Sequence, residues 1–290
     1  MKPMKAATLD DFKMVKFPIY LSPKLDGFRC LTWEGQPVSK NLKPIPNKFI
    51  RNVLSKVPNG LDGELIVGSP TDVKVFNKTS SGVTTIEGTP NFKLYLFDNF
   101  NSPAETFAAR FMSLEGLIPH DYLEIVPHTL VHTVEQLMTL ESKYVKMGYE
   151  GVMLRAPHGH YKMGRSTCNE GLLWKLKRFT DGEAKIIGIT AGVRNENPAT
   201  RNAAGEIERS THKKNMIETE MVGTILAIDM VTNKHINISP GRMTHDERAH
   251  YFKNPHKIIG KYAKYKAFDY GTVNVPRFCT FQGFRDPIDL

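Results

Sequence analysis

Cysteine is scarce in this chain: only Cys30, Cys168 and Cys279 occur, far apart. Isolated thiols at such spacing make neither a disulfide framework nor a zinc site, and they fit a reducing compartment. Long apolar runs are missing too. None approaches the ~20 residues that a helix needs to cross a bilayer. The first residues, MKPMKAATLDDFKMVKF, carry lysines but no apolar stretch, so no secretory signal is visible and a cytoplasmic location is expected. Internal repeats and low-complexity tracts are absent. A secreted disulfide scaffold, a helical membrane protein and a solenoid are thereby excluded.

What is present describes a soluble globular protein. The 290 residues are 40% hydrophobic and 24% charged, enough for two domains with separate cores. The net charge is +9. A basic surface favours a polyanionic partner, with nucleic acid first. The stretch KNPHKIIGKYAKYKAF, residues 253–268, holds Lys253, Lys257, Lys261, Lys264 and Lys266 and no acid, with Tyr262 and Tyr265 between them. Lysines interleaved with aromatics suit a surface that tracks phosphates, and a solvated strand face is the plainer alternative.

The first 180 residues mix helices and strands. NKFIRNVLSKV carries Ile50, Val53, Leu54 and Val57 at helical spacing, with Asn47 as N-cap. TVEQLMTLESKYVKMG opens on a Thr133–Gln136 capping box and places Leu137, Leu140, Tyr144 and Val145 on one face. LDGELIVG, FKLYLFDNF, EGVMLRA and LLWKLKRF read as strands. The expectation is α+β with mostly antiparallel sheets. After RFTDGEA the composition changes. AKIIGIT, MVGTILAIDMV, HINISP, KYAKYKAF and FCTFQGF are short strands, with one helix near MTHDERAHYF. Five strands and a helix point to a small all-β barrel of the OB type. The expected domains are 1–181 and 182–290, and the long polar segment 193–220 interrupts the second.

Several strands carry charge in apolar surroundings. In YLSPKLDGFRC, Lys24 and Asp26 share a face, and Gly27 lets the chain bend or a ligand approach. Asp62 and Glu64 share a face in LDGELIVG. Glu150 precedes Gly151 in YEGVMLRAP. Lys175 and Lys177 share a face in LLWKLKRF, and burying both is costly unless an anion compensates. Singly, each reads as a solvated strand face.

Their order, K-x-D-G, D-G-E, F-D, E-G-V-x-x-R and K-x-K, resembles the covalent nucleotidyltransferases. Within that superfamily the chain is similar to ATP-dependent DNA ligases, particularly small viral ones of the Chlorella virus type. SKNLKPIPN, HYKMGRST, RSTHKK and PRFCTFQGFR extend the likeness along nearly the whole chain. The resemblance implies a nucleotidyltransferase, or ATP-grasp-like ligase, domain followed by the OB-fold. It also implies ATP as AMP donor, magnesium or manganese as metal, and nicked duplex DNA as partner of a monomer. A viral enzyme would act in the host cytoplasm.

The resemblance also assigns roles. Lys24 would be the nucleophile that forms a lysyl-AMP phosphoramidate. A free lysine is protonated near neutral pH. A metal ion, Lys175 and Lys177 would favour its neutral form by like charge, and the two lysines would hold the α-phosphate. Glu64 would accept from a ribose hydroxyl. Phe97 would stack on adenine, or Tyr95 by strand parity. Ser22 would touch the adenine edge, and Arg29 and Arg165 would position ribose and phosphates. Glu150 would bind the cation with Glu64 or Asp26 nearby. Lys40 stands where related ligases carry an arginine for the nick 5′-phosphate, and it lacks the bidentate fork. Arg277 and the Arg285–Asp286 pair resemble the final family motif. Residues 193–220 would be a DNA-encircling latch, with Arg194, Arg209, Lys213 and Lys214 on phosphates, joined by Lys261 and Lys264 of the barrel. An NAD-dependent ligase would normally add an NMN-binding domain and a four-cysteine zinc element, and only three scattered cysteines occur here. An RNA ligase or an mRNA capping guanylyltransferase would use the same lysine. A nucleic-acid-binding OB protein would form no adduct.

Overall fold

The structure is a computed structural model that describes residues 1–9, 11–117, 120–268 and 276–286. Asp10 of the AATLDDF stretch lies outside the described residues. The chain divides into two compact units, one of Met1–Lys177 with Asn202–Glu206, the other of Arg178–Arg201 with Ile207–Leu290. The expected cut after residue 181 falls inside a strand, Thr180–Asn195, which pairs from its first residue.

The first unit holds two five-stranded sheets. One runs Ala7–Thr8, Leu173–Leu176, Val152–Arg155, Ile19–Pro23, Thr129–Val131. The other runs Gln36–Ser39, Phe28–Trp33, Leu61–Val67, Phe92–Asn99, Leu123–Ile125. All pairings are antiparallel except those of Ala7–Thr8 and Leu123–Ile125 with their neighbours. Apolar side chains fix each sheet against its helix. Ile19, Leu21, Val152, Leu154 and Trp174 form one core with Leu137 and Tyr144 of the helix Val134–Lys146. Leu61, Leu65, Leu94 and Leu96 form another with Ile50 and Leu54 of the helix Lys48–Leu54. Asn47 caps the latter as expected, accepting from the Ile50 amide. Thr133 accepts from the Gln136 amide, but Gln136 turns back to the His132 amide and not to the N-cap, so the box is only half made. The reciprocal box is in the other unit, between Thr244 and Glu247 of the helix His245–Lys253.

The main sheet of the second unit is antiparallel and runs His235–Ile238, Met216–Asp229, Thr180–Asn195, Tyr262–Phe268, Arg277–Arg285. A parallel bridge from Ser239 to Thr280 joins its two edges, as in a partly closed barrel. Ala263, Tyr265 and Ala267 point into the core, so Tyr262, Lys264 and Lys266 point out. Tyr265 therefore does not interleave with the lysines at the surface. It is 3% exposed and donates to Asp229 at 2.6 Å. The polar segment 193–220 is a β-ribbon: residues 193–195 pair with 216–218, and Ala199–Arg201 pairs with Ile207–Arg209. Among the described residues, no helix is long and apolar enough to cross a membrane.

Candidate active site

Lys24 does not lie on a strand. Ile19–Pro23 ends one residue before it, and the next strand starts at Phe28. The Lys24 amide still donates to Gly151 O (2.9 Å), and the Glu150 amide donates to Lys24 O (3.3 Å). This continues the pairing of Ile19–Pro23 with Val152–Arg155 by one step. Two glycines make the approach possible. A Cβ on Gly27 would stand 2.3 Å from Leu65 O and 2.9 Å from Glu64 Cγ. Gly151 sits at φ 150°, where a Cβ would meet Leu176 O at 2.3 Å. Close approach of backbones, more than a turn, explains the glycine in both motifs.

The result is a charge hub. The Lys24 ammonium and the Lys177 ammonium both contact the Glu150 carboxylate. That carboxylate is 4% exposed and the lysines are 20% and 22% exposed. Lys177 lies one residue beyond its strand, which ends at Leu176. Lys175 stays on the strand and faces a cavity of about 550 Å³. Burial lowers the ordinary lysine value of Lys175, and the charges of Lys177, Lys24 and Arg165 lower it further.

Lys24, Arg29, Glu64 and Phe97 line the same cavity. Ser22, Lys40 and Arg165 complete its polar lining on other sides. Glu64 is opposite Arg29 across the sheet. Burial pushes its carboxyl up to about 7, against Lys24 and Arg29, which pull it down. Phe97 and Tyr95 match in strand parity and pack in the same apolar cluster, but of the two it is Phe97 that lines the cavity. Gly63 pairs with Leu96 while Asp62 pairs with Asp98, so Phe97 is the extra residue of a β-bulge and turns into the cavity. Tyr95 is buried in the cluster of Leu25, Ile66, Val75 and Val126, against which Phe97 also packs.

Sequence reasoning missed the ionic network behind this wall. Asp62, fully buried, takes both Arg29 nitrogens on its two oxygens and a hydrogen bond from Tyr161 Oη at 2.7 Å. Asp98, equally buried, is shared by Arg110 (2.8 Å) and Arg155. Arg29 and Arg155 lie over the Phe97 ring at 4.7 and 5.5 Å. Arg155 itself lines the cavity. Signals were there: Asp62, Asp98 and Arg155 all sit inside the D-G-E, F-D and E-G-V-x-x-R runs.

Lys40 lines this cavity, whereas the other DNA-side residues are in the second unit and are not part of it. Arg194 pairs with Glu196 at 2.5 Å, and Arg209 donates to Asn197 O. Lys213 and Lys214 sit exposed in a short 3-10 turn. Lys264 pairs with Asp181 at 3.0 Å, and Lys261 lies 5.3 Å over Phe284.

A family model, the ATP dependent DNA ligase domain, matches residues 3–177. The chain belongs to that family. The DNA ligase of African swine fever virus, Pig/Kenya isolate, is 22% identical over 247 residues, covering 79% of this chain and 52% of that protein. The enzyme of the Badajoz strain is 22% identical over 177 residues, 58% of this chain and 36% of that one. The chain thus spans about half or less of these curated relatives. The solved Chlorella virus DNA ligase–adenylate is 30% identical with a TM-score of 0.56, covering 98% of both chains. A Lig E DNA ligase shares the fold, with a TM-score of 0.75 at 22% identity over 98% of this chain and 99% of that one. The fold class is the expected one, an α+β nucleotidyltransferase domain followed by an OB-type domain.

Among the described residues, no three His, Cys, Asp or Glu side chains gather into a metal site. The donor chemistry nevertheless fits magnesium. Glu64 and Glu150 are hard oxygen ligands close enough for the Glu150 charge to raise Glu64, and this ion is ordinarily held by one or two carboxylates together with substrate phosphates.

Proposed function

We propose that the chain is an ATP-dependent DNA ligase that seals 5′-phosphate/3′-hydroxyl nicks in duplex DNA. The observation that carries this reading is the Lys24–Glu150–Lys177 hub at the wall of a cavity that Lys175, Arg29 and Glu64 also face, in a chain of this family. Lys24 Nζ, once deprotonated, attacks the α-phosphorus of ATP. A P–N bond forms, the α–β bridging bond breaks, and pyrophosphate leaves. The nick 5′-phosphate oxygen then attacks the same phosphorus and frees the lysine. Attack by the 3′-hydroxyl on the adenylated 5′-phosphate closes the strand and expels AMP.

Lys175 and Lys177 counter the charge on the α-phosphate, and Arg29 and Arg165 orient the nucleotide. Phe97 offers a ring to the adenine, Ser22 a hydroxyl to its edge, and Glu64 an acceptor to the ribose. A divalent cation held by Glu64 and Glu150 would neutralise charge on the phosphate oxygens. Lys40 reaches the nick phosphate. Segment 193–220 acts as a latch on the duplex, with Arg194, Arg209, Lys213 and Lys214 on phosphates.

The test uses α-labelled ATP or GTP with magnesium, followed by nicked DNA. Label from ATP that moves from protein to DNA 5′-phosphate supports the ligase. Label from GTP alone would favour a capping enzyme, transfer only to RNA an RNA ligase, and no label a binding protein. Replacing Arg194, Arg209, Lys213 and Lys214 by alanine should spare the adduct and weaken nick sealing. Full sealing by that variant would remove the latch role.

A further inference from the structure

Tyr161 stands outside the charged motifs, yet it closes a circuit at the cavity wall. Its side chain is almost fully buried, at 2% exposure. The hydroxyl donates to Asp62 Oδ2 at 2.7 Å and accepts from the Met4 amide at 3.1 Å. Asp62 holds Arg29 through two oxygens, and Arg29 returns to Met4 O at 3.2 Å. The Met4 peptide groups are thus bracketed by Tyr161 on one side and Arg29 on the other. Met4 and Arg29 both line the cavity, and Arg29 lies over the Phe97 ring.

We propose that Tyr161 is a positioning residue for the nucleotide: through Asp62 and Met4 it fixes the Arg29 guanidinium and the N-terminal segment that walls the cavity. This rests on the ligase reading. The chemistry favours a fixed arrangement. Asp62 is a fully buried carboxylate, which needs all of its partners. An Arg29 with only one partner could swing toward substrate phosphates in several ways. With Asp62 clamped by a third group, its fork keeps one orientation. Burial, then the Asp62 charge, raises the Tyr161 phenol well above its ordinary value, so it remains a donor throughout the working pH range. Tyr161 touches no reacting atom in this scheme. It acts on binding, so its loss belongs in KM more than in kcat.

The variant is Tyr161→Phe, which keeps the ring beside Phe100 and beneath Arg110 and removes only the hydroxyl. In adduct formation by the full chain, KM for ATP should rise about tenfold, the weight of one lost hydrogen bond to a charged group, with kcat within about twofold of wild type. A second readout needs no turnover. Titration with ATP in the Lys24→Ala background should show the same tenfold weakening when Tyr161→Phe is added. The Met4 amide should exchange with solvent faster in the variant. Unchanged ATP affinity and unchanged KM, with only a lowered unfolding temperature, would overturn the inference and leave Tyr161 a structural residue. A wild-type chain that forms no adduct would refute the ligase reading instead, and the titration and the Met4 exchange would then decide for or against Tyr161.

Discussion

Glu150→Gln tests the charge hub by removing one charge and almost no volume. Two ammonium groups meet on a carboxylate that is 4% exposed. At contact distance and an effective dielectric near 20, each pair is worth about 4 kcal/mol of attraction. The lysines repel one another, and both ammonium groups were dehydrated to reach the site, so the two values do not add. Breaking a buried pair from one side costs roughly 3–5 kcal/mol. Lys24 and Lys177 keep 20% and 22% of their exposure, which puts the expected loss at the lower end, about 3 kcal/mol. For a unit of this size, each kcal/mol moves the midpoint by about 2–4 °C, so calorimetry at pH 7 without nucleotide should show a drop of about 6–12 °C. Adduct formation should fall in the same variant. A midpoint within about 1 °C of wild type would refute the hub, because removing a carboxylate that both ammonium groups contact must cost more than that.

Glu64 gives a pH signature. Its folded value is raised from 4.5 to about 7, so the stability tied to it is full below 4.5 and lost as pH rises to about 7. Glu64→Gln should gain on wild type across that window, and parallel stability curves would remove the raised value. On the barrel, Lys261, Lys264 and Lys266 replaced by alanine should flatten the log K versus log salt plot for nicked DNA by up to about 2.7, at −0.9 per phosphate contact, and leave the adduct unchanged. An unchanged slope with normal sealing would make that face merely solvated.

Much of this was legible in the sequence, and what was not has identifiable causes. All five barrel strands, the Asn47 cap and the helix Val134–Lys146 follow from periodicity and cap chemistry, which act locally. Which of Tyr95 and Phe97 lines the cavity was not legible, because strand parity treats the two alike and the bulge at Phe97 depends on the partner strand. Tyr265 was misjudged by reading charge density where alternation governs: Ala263 and Ala267 show that the odd positions point inward. Lys24 looked like a strand residue because its backbone bonds to Gly151 do continue the ladder, although the strand has already ended. The Asp62 and Asp98 networks join residues 33, 57 and 99 positions apart, Arg29 to Asp62, Asp98 to Arg155 and Asp62 to Tyr161. Local pattern carries no information on such pairs. Each aspartate was visible, but its partners were not.

The covalent chemistry proposed for this chain rests on Lys24 as the nucleophile. The most direct measurement compares wild type with Lys24→Ala, each given α-labelled ATP and then, separately, a nick already carrying AMP on its 5′-phosphate. Wild-type protein should carry the label on Lys24, the variant should carry none, and the variant should still seal the pre-adenylated nick, since closure needs no lysine nucleophile. A labelled adduct that survives Lys24→Ala would contradict that assignment and place the covalent chemistry on another residue.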